Sequence, residues 1–133
     1  MFNLIKIENG RMNVPEPVYL EVTASEAVEY GEALVLSSGK LTKCGTKVKP
    51  THIAMGSVAA DATKRIIAAA RVEANQLYEV PVTAAPTSLT AGDKVTLHTD
   101  GLQVTATTTD GVITVESVNS AAAAGDKIIV RII

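Results

Sequence analysis

Ala91-Gly92-Asp93-Lys94-Val95-Thr96-Leu97-His98-Thr99-Asp100-Gly101-Leu102-Gln103-Val104-Thr105-Ala106 is the stretch whose reading decides the fold. Val95 and Leu97 share one parity and Leu102 and Val104 another, with Asp100-Gly101 between them. Alternating apolar residues on either side of an Asp-Gly pair predict a β-hairpin, because Gly tolerates the positive φ of a tight turn. A second such signal, Asp110-Gly111, leads into Val112-Ile-Thr-Val-Glu-Ser-Val118, and the chain closes on Asp126-Lys-Ile-Ile-Val-Arg-Ile-Ile133. The C-terminal part thus reads as a meander of hairpins.

Working back toward the N-terminus gives more strands. Val18, Leu20 and Val22 alternate with Tyr19, Glu21 and Thr23, the two-residue period of a strand with one apolar face. Ala33-Leu-Val-Leu and Lys40-Leu41-Thr42 flank Ser37-Ser38-Gly39 and predict a hairpin. Residues 52–59 read as a strand with a bulge or close approach at Gly56. Residues 61–72 are open to two readings. Asp61 can cap a helix running through the alanines, but the β-branched Ile66-Ile67 pair favours a strand over 65–72, then a turn at Glu73-Ala74-Asn75 and a strand over 76–82. Residues 1–16 read as an extended N-terminal arm, with a turn at Asn9-Gly10 and prolines at positions 15 and 17 that disfavour helix. Such an arm either docks on a neighbouring subunit or packs locally. The expected fold is all-β: a small antiparallel β-barrel or β-sandwich over 17–133, preceded by that arm.

One turn grammar recurs. Tyr30-Gly31-Glu32-Ala33-Leu34-Val35, Ala91-Gly92-Asp93-Lys94-Val95-Thr96 and Ala124-Gly125-Asp126-Lys127-Ile128-Ile129 each set Gly and an acid one free position ahead of a strand. The acid is suited to accept local backbone N–H bonds. The alternative, three acids converging on a cation, spreads ligands far more widely than a calcium loop does.

Composition bounds the function. In 133 residues, 3% are aromatic and none is Trp, so the core must be aliphatic. The net charge of -2 is spread along the chain, and no basic block offers a phosphate-binding surface, which argues against nucleic acid. No apolar run is long enough for a membrane-spanning helix, and Met1 to Asn13 is too interrupted by charge for a signal-peptide core; synthesis in the cytoplasm is the expectation. Cys44 is the single cysteine and reads as a small hydrophobe. His52 and His98 have no His, Cys or carboxylate at metal-ligand spacing, and the serines have no evident base partner. The expectation is a protein without catalytic residues, metal or cofactor.

The order of features resembles the small capsid decoration (cement or head-stabilising) proteins of tailed bacteriophages and prophages. The residues that carry the likeness are Val28-Glu-Tyr-Gly-Glu-Ala-Leu-Val-Leu-Ser-Ser-Gly-Lys-Leu41, then Tyr78-Glu79-Val80-Pro81-Val82, then Ala91-Gly92-Asp93-Lys94-Val95 with a hairpin beyond. The alanine-rich stretch 59–74 departs from the glycine-rich middle of that family. The resemblance implies a homo-oligomer, often a trimer, bound to the major capsid protein on the outside of an expanded head. On that reading the contact residues are Phe2, Leu4 and Ile5 of the arm and Ile129, Arg131 and Ile133 on the second face of the last strand. The alternatives are another β-rich virion part, such as a tail or head fibre, or a carbohydrate-binding module using Tyr19, Tyr30 or Tyr78.

Overall fold

The computed structural model describes residues 1–8 and 15–133; the turn expected at Asn9-Gly10 lies outside them. The described residues form ten strands and no helix: β1 (Asn3–Ile7), β2 (Val18–Glu21), β3 (Ala33–Ser37), β4 (Lys40–Lys43), β5 (His52–Ala54), β6 (Ile66–Arg71), β7 (Gln76–Pro81), β8 (Lys94–Val95), β9 (Ile113–Ser117) and β10 (Lys127–Arg131). They make two five-stranded sheets, β1-β7-β10-β9-β8 and β2-β6-β5-β3-β4, in which every strand pair is antiparallel. Of the two all-β architectures the sequence allows, this is the sandwich-like one.

The two-residue period explains where the cores lie. From the first sheet, Tyr78, Val80, Ile113, Val115, Ile128 and Val130 point inward and meet Ala33 and Ile53 of the second. The opposite parity of the second sheet builds a separate core, in which Leu34, Leu41, Ala54, Ile67 and Ala69 close over Val22 and Val28. The second sheet is therefore buried on both faces of its central strands. An isolated parallel bridge between Val22 and Leu41 draws its two edge strands, β2 and β4, toward each other around that core.

The recurring turn grammar has one hydrogen-bond pattern in all three places. Gly31, Gly92 and Gly125 adopt φ of 79°, 97° and 89°, in the region that favours glycine. Gly31 N–H donates to Ala54 O (2.8 Å) while Ala54 N–H donates to Glu32 O (2.9 Å). Gly92 and Asp93 hold Val115 in the same way (2.8 and 2.8 Å), and Gly125 and Asp126 hold Val82 (2.7 and 3.0 Å). The acid side chain locks each turn by accepting the backbone N–H three residues upstream: Glu32 from Glu29 (2.9 Å), Asp93 from Thr90 (2.8 Å), Asp126 from Ala123 (2.8 Å). A turn with the same lock follows β6, where the Gln76 side-chain oxygen accepts Glu73 N–H at 2.9 Å.

Several expectations need correction. The described part of the N-terminal segment is built into the first sheet: β1 pairs with β7, with Ile5 as an extra, bulged residue between Leu4 and Lys6. Phe2 is 2% exposed and sets its ring edge-on to Tyr78, with centroids 6.1 Å apart. A chain with one phenylalanine spends it in the core, so the locally packed terminus is the reading the structure takes. Of the two readings of 61–72, the favoured strand over 65–72 is borne out as β6 (Ile66–Arg71), because Ile67 and Ala69 are needed in the second core and the backbone is paired on both sides, to β2 and β5. The strand expected over 52–59 ends at Ala54, and Gly56 lies in a bend after it. The 91–106 hairpin exists but is irregular. His98 N–H donates to Gln103 O (2.9 Å) and Thr105 N–H to Thr96 O (2.9 Å), and only Lys94–Val95 counts as strand.

Two outcomes follow. Phe2→Ala is expected to cost about 3–5 kcal/mol in urea unfolding, whereas Ile5→Ala, at an exposed bulge, stays within about 0.5 kcal/mol. A Cβ on Gly111 would stand 2.2 Å from Lys94 O, whereas one on Gly92 meets nothing within 4 Å. Gly92→Ala is therefore expected to cost only the strain of its φ, about 1–2 kcal/mol, and Gly111→Ala distinctly more, read as a larger fall in denaturation midpoint at unchanged slope.

Candidate functional site

Several of the groups able to do chemistry are occupied by the fold. Cys44 is buried and its thiol donates to Val48 O at 3.0 Å. Burial pushes the thiol up to about 11, so it is protonated at neutral pH. His98 Nδ1 lies 3.1 Å from Asp100 Oδ2 at the tip of the 91–106 hairpin. Partial burial pushes the Asp100 carboxyl upward, but the hydrogen bonds from Gln103, the Leu102 N–H and His98 outweigh it and hold it below the usual range. No hydroxyl or thiol side chain bonds either ring nitrogen of His98 among the described residues, so the pair braces a turn. Glu32, 2% exposed, takes Lys43 Nζ at 2.7 Å as well as its turn N–H. Asp93 and Asp126 serve their own turns. Among the described residues no group of three or more His, Cys, Asp or Glu could hold a metal. A cavity of about 210 Å³ lies between β1 and the second sheet, lined by apolar groups such as Phe2, Leu4, Ile53, Met55 and Tyr78, with no carboxylate, imidazole, amine or thiol in its wall among the described residues.

The surface is more informative. Strand β10 is central in the first sheet, between β7 and β9. Ile128, Val130 and Ile132 enter the core, and Ile129, Arg131 and Ile133 take the opposite parity. Ile129 is half-buried between its cross-strand partners Glu79 and Ser117, and Ile133 is 47% exposed. Charge frames this face: Lys127 pairs with Glu79 (3.3 Å), and Arg131 pairs with Glu116 (2.7 Å) and Glu8 (2.9 Å). Arg131 also donates to Ala74 O at 2.7 Å. The hydrogen bond and charge of Arg131 hold the Glu8 carboxyl below its usual range, and the two carboxylates hold the guanidinium above its own.

The six residues expected to make contacts therefore separate. Ile129, Arg131 and Ile133 share the outward face, with Arg131 committed to intramolecular ties and only 13% of its side chain exposed. Ile5 is exposed at the β1 bulge; Leu4 is partly buried against the core, and Phe2 is inside it. Phe2 is corrected from surface contact to core.

The exposed position of Tyr19 beside Ile66 and the role of Arg65 escaped the sequence reading. Tyr19 and Ile66, 71% and 66% exposed, are neighbours on the same face of β2 and β6, where Tyr19 pairs with Ala68 and Glu21 with Ile66. Their signal was parity: each lies out of phase with the residues that fill the second core. Arg65 donates to the carbonyls of Ala59 (2.8 Å), Ala60 (3.1 Å), Thr23 (3.0 Å) and Glu26, tying two loops to the start of β6. Nothing local in the sequence announces that role. The aromatic residues do not form one platform, since Tyr78 is buried with its hydroxyl donated to Gln76 at 2.6 Å.

Compared with known proteins, the chain matches no family model, and no curated protein matches it.

The Cys44 thiol is expected to react with a disulfide reagent at pH 8 about two orders of magnitude more slowly in the native protein than in urea. Both its thiolate fraction and its access are restored on unfolding. Equal rates in the two states would contradict its placement.

Proposed function

We propose that this chain is a non-catalytic structural protein that binds and stabilises the outer surface of a phage or prophage capsid. The observation that carries the proposal is the second face of β10: a central strand with isoleucines on both sides, whose second side is, among the described residues, half-buried at Ile129 and exposed at Ile133. Such a face is suited to burial against another protein, at about 25 cal/mol per Å² of apolar surface removed from water. The frame of Lys127, Glu79, Arg131 and Glu116 supplies a polar rim that sets register and limits unspecific association. The sequence resemblance gives the partner class, a major capsid protein, and a homo-oligomer, with a trimer as the form it implies. Repetition over many symmetric copies turns a modest contact into a tight one.

The N-terminal segment is the weaker contact surface, because β1 is part of the first sheet and Phe2 part of its core. Of the tyrosines named for a carbohydrate-binding module, Tyr78 is inside, whereas Tyr19 and Tyr30 are exposed on the surface.

The experiment is co-sedimentation with expanded heads of the phage or prophage whose genome carries the sequence. Ile129→Glu and Ile133→Asp are expected to weaken binding at least tenfold with little change in melting temperature, since both substitutions lie outside the core. Tyr19→Ser serves as the comparison on the other sheet. Undiminished binding by both β10 variants removes this face from the account, and binding to tails but not heads replaces the capsid reading with a fibre module.

A further inference from the structure

The second sheet carries an unbroken cross-strand row, Lys43 (β4), Leu34 (β3), His52 (β5), Arg71 (β6). Residues directly opposite in register share a face, so the imidazole sits on the same side as two cations. His52 is 3% exposed. Its Nδ1 is 2.9 Å from Thr51 Oγ1, and that oxygen already accepts Leu36 N–H at 2.9 Å. Its Nε2 is buried and has no partner among the described residues. Whichever nitrogen carries the hydrogen in the neutral ring, Nε2 stays unpaired; in the charged ring it must be a donor, and a buried unpaired charged donor costs more than a neutral one.

The charged groups facing His52 do not offset that cost. From β6 comes Arg71, a like charge, with no carboxylate partner among the described residues. From β3 comes Leu34, which is uncharged; beyond it Lys43 is already paired with Glu32. We propose that His52 is an acid-sensitive latch, whose protonation opens the centre of the second sheet at β3, β5 and β6 while the first sheet stays closed.

Thr51 explains why the latch reaches three strands. Its N–H donates to Leu34 O (2.9 Å), its carbonyl accepts Val72 N–H (2.9 Å), and its hydroxyl oxygen joins Leu36 N–H to His52. The unit is local because the core on the imidazole's side is the smaller one, 7 buried residues against 16 in the core between the sheets. Regions with little buried apolar contact open first. Burial, and then the charge of Arg71, lower the folded-state pKa of His52. A lowered histidine pKa contributes stability that is complete above about pH 6.5, the opened-state value, and is lost as pH falls below it. The Glu8 and Asp100 carboxyls, held below their usual range, titrate far beneath that window.

The test is amide hydrogen exchange by NMR at pH 7.5 and pH 5.0, corrected for intrinsic rates. Protection at Leu36, Ala54 and Val72 is expected to fall about tenfold between these values, with β7 and β10 unchanged. In His52→Gln that fall is expected to vanish. In the unaltered protein the His52 ring is expected to titrate below about 6.5, and Arg71→Gln to raise its midpoint. A fall that persists in His52→Gln, a fall shared equally by both sheets, or a ring that titrates at or above the ordinary value would each overturn the latch.

Discussion

Two hydrogen bonds recur at three turns. A glycine N–H and the carbonyl of the acid after it grip one residue in or just after another strand, Ala54, Val115 or Val82. Each grip fixes where the following strand enters: β3 beside β5, β8 beside β9, β10 beside β7. Register in a sheet is unforgiving, because a slip by one residue would send Val95, Ile128 and Val130 to the solvent side and their neighbours into the core. The carboxylate lock upstream of each glycine keeps the turn from unwinding. The three acids are therefore structural in this chain, and their sequence similarity reflects a common geometric task.

Much of this was legible beforehand. Alternation separated the two faces of β2 and β10, turn signals bracketed β7 and β9, and Gly-acid spacing located the turns, since all are local properties of a pleated chain. The legible part failed where the outcome depended on distant partners. Phe2 and Leu4 read equally well as a docking arm or a locally packed terminus; only the presence of β7, some seventy residues on, decides it. Helix or strand at 61–72 was settled by β2 and β5 on either side. The split of the second sheet between two cores, and the four-carbonyl grip of Arg65, are long-range facts with no local pattern.

The exposed candidates were legible to a similar degree. Ile129, Arg131 and Ile133 were assigned to the second face of the last strand from parity alone, and they do share a face. What parity could not give was the commitment of Arg131 to Glu8, Glu116 and Ala74, which come from three different parts of the chain. Its charge frames the surface and is not free to reach out from it.

The strand order has a consequence for how the chain is made. All five strands of the second sheet come from residues 18–71, whereas the first sheet needs β10, the last of the ten, inserted between β7 and β9. During synthesis the second sheet can assemble on the emerging polypeptide as soon as β6 clears the ribosome. The first sheet must wait for residue 131, with β7 and β9 meanwhile lacking their shared neighbour. Closing contacts between β1 and β7 and then threading the final strand between two others is slow, high-contact-order work. The nascent chain therefore has its greatest exposure to misassociation just before β10 emerges, at the edges of β7 and β9.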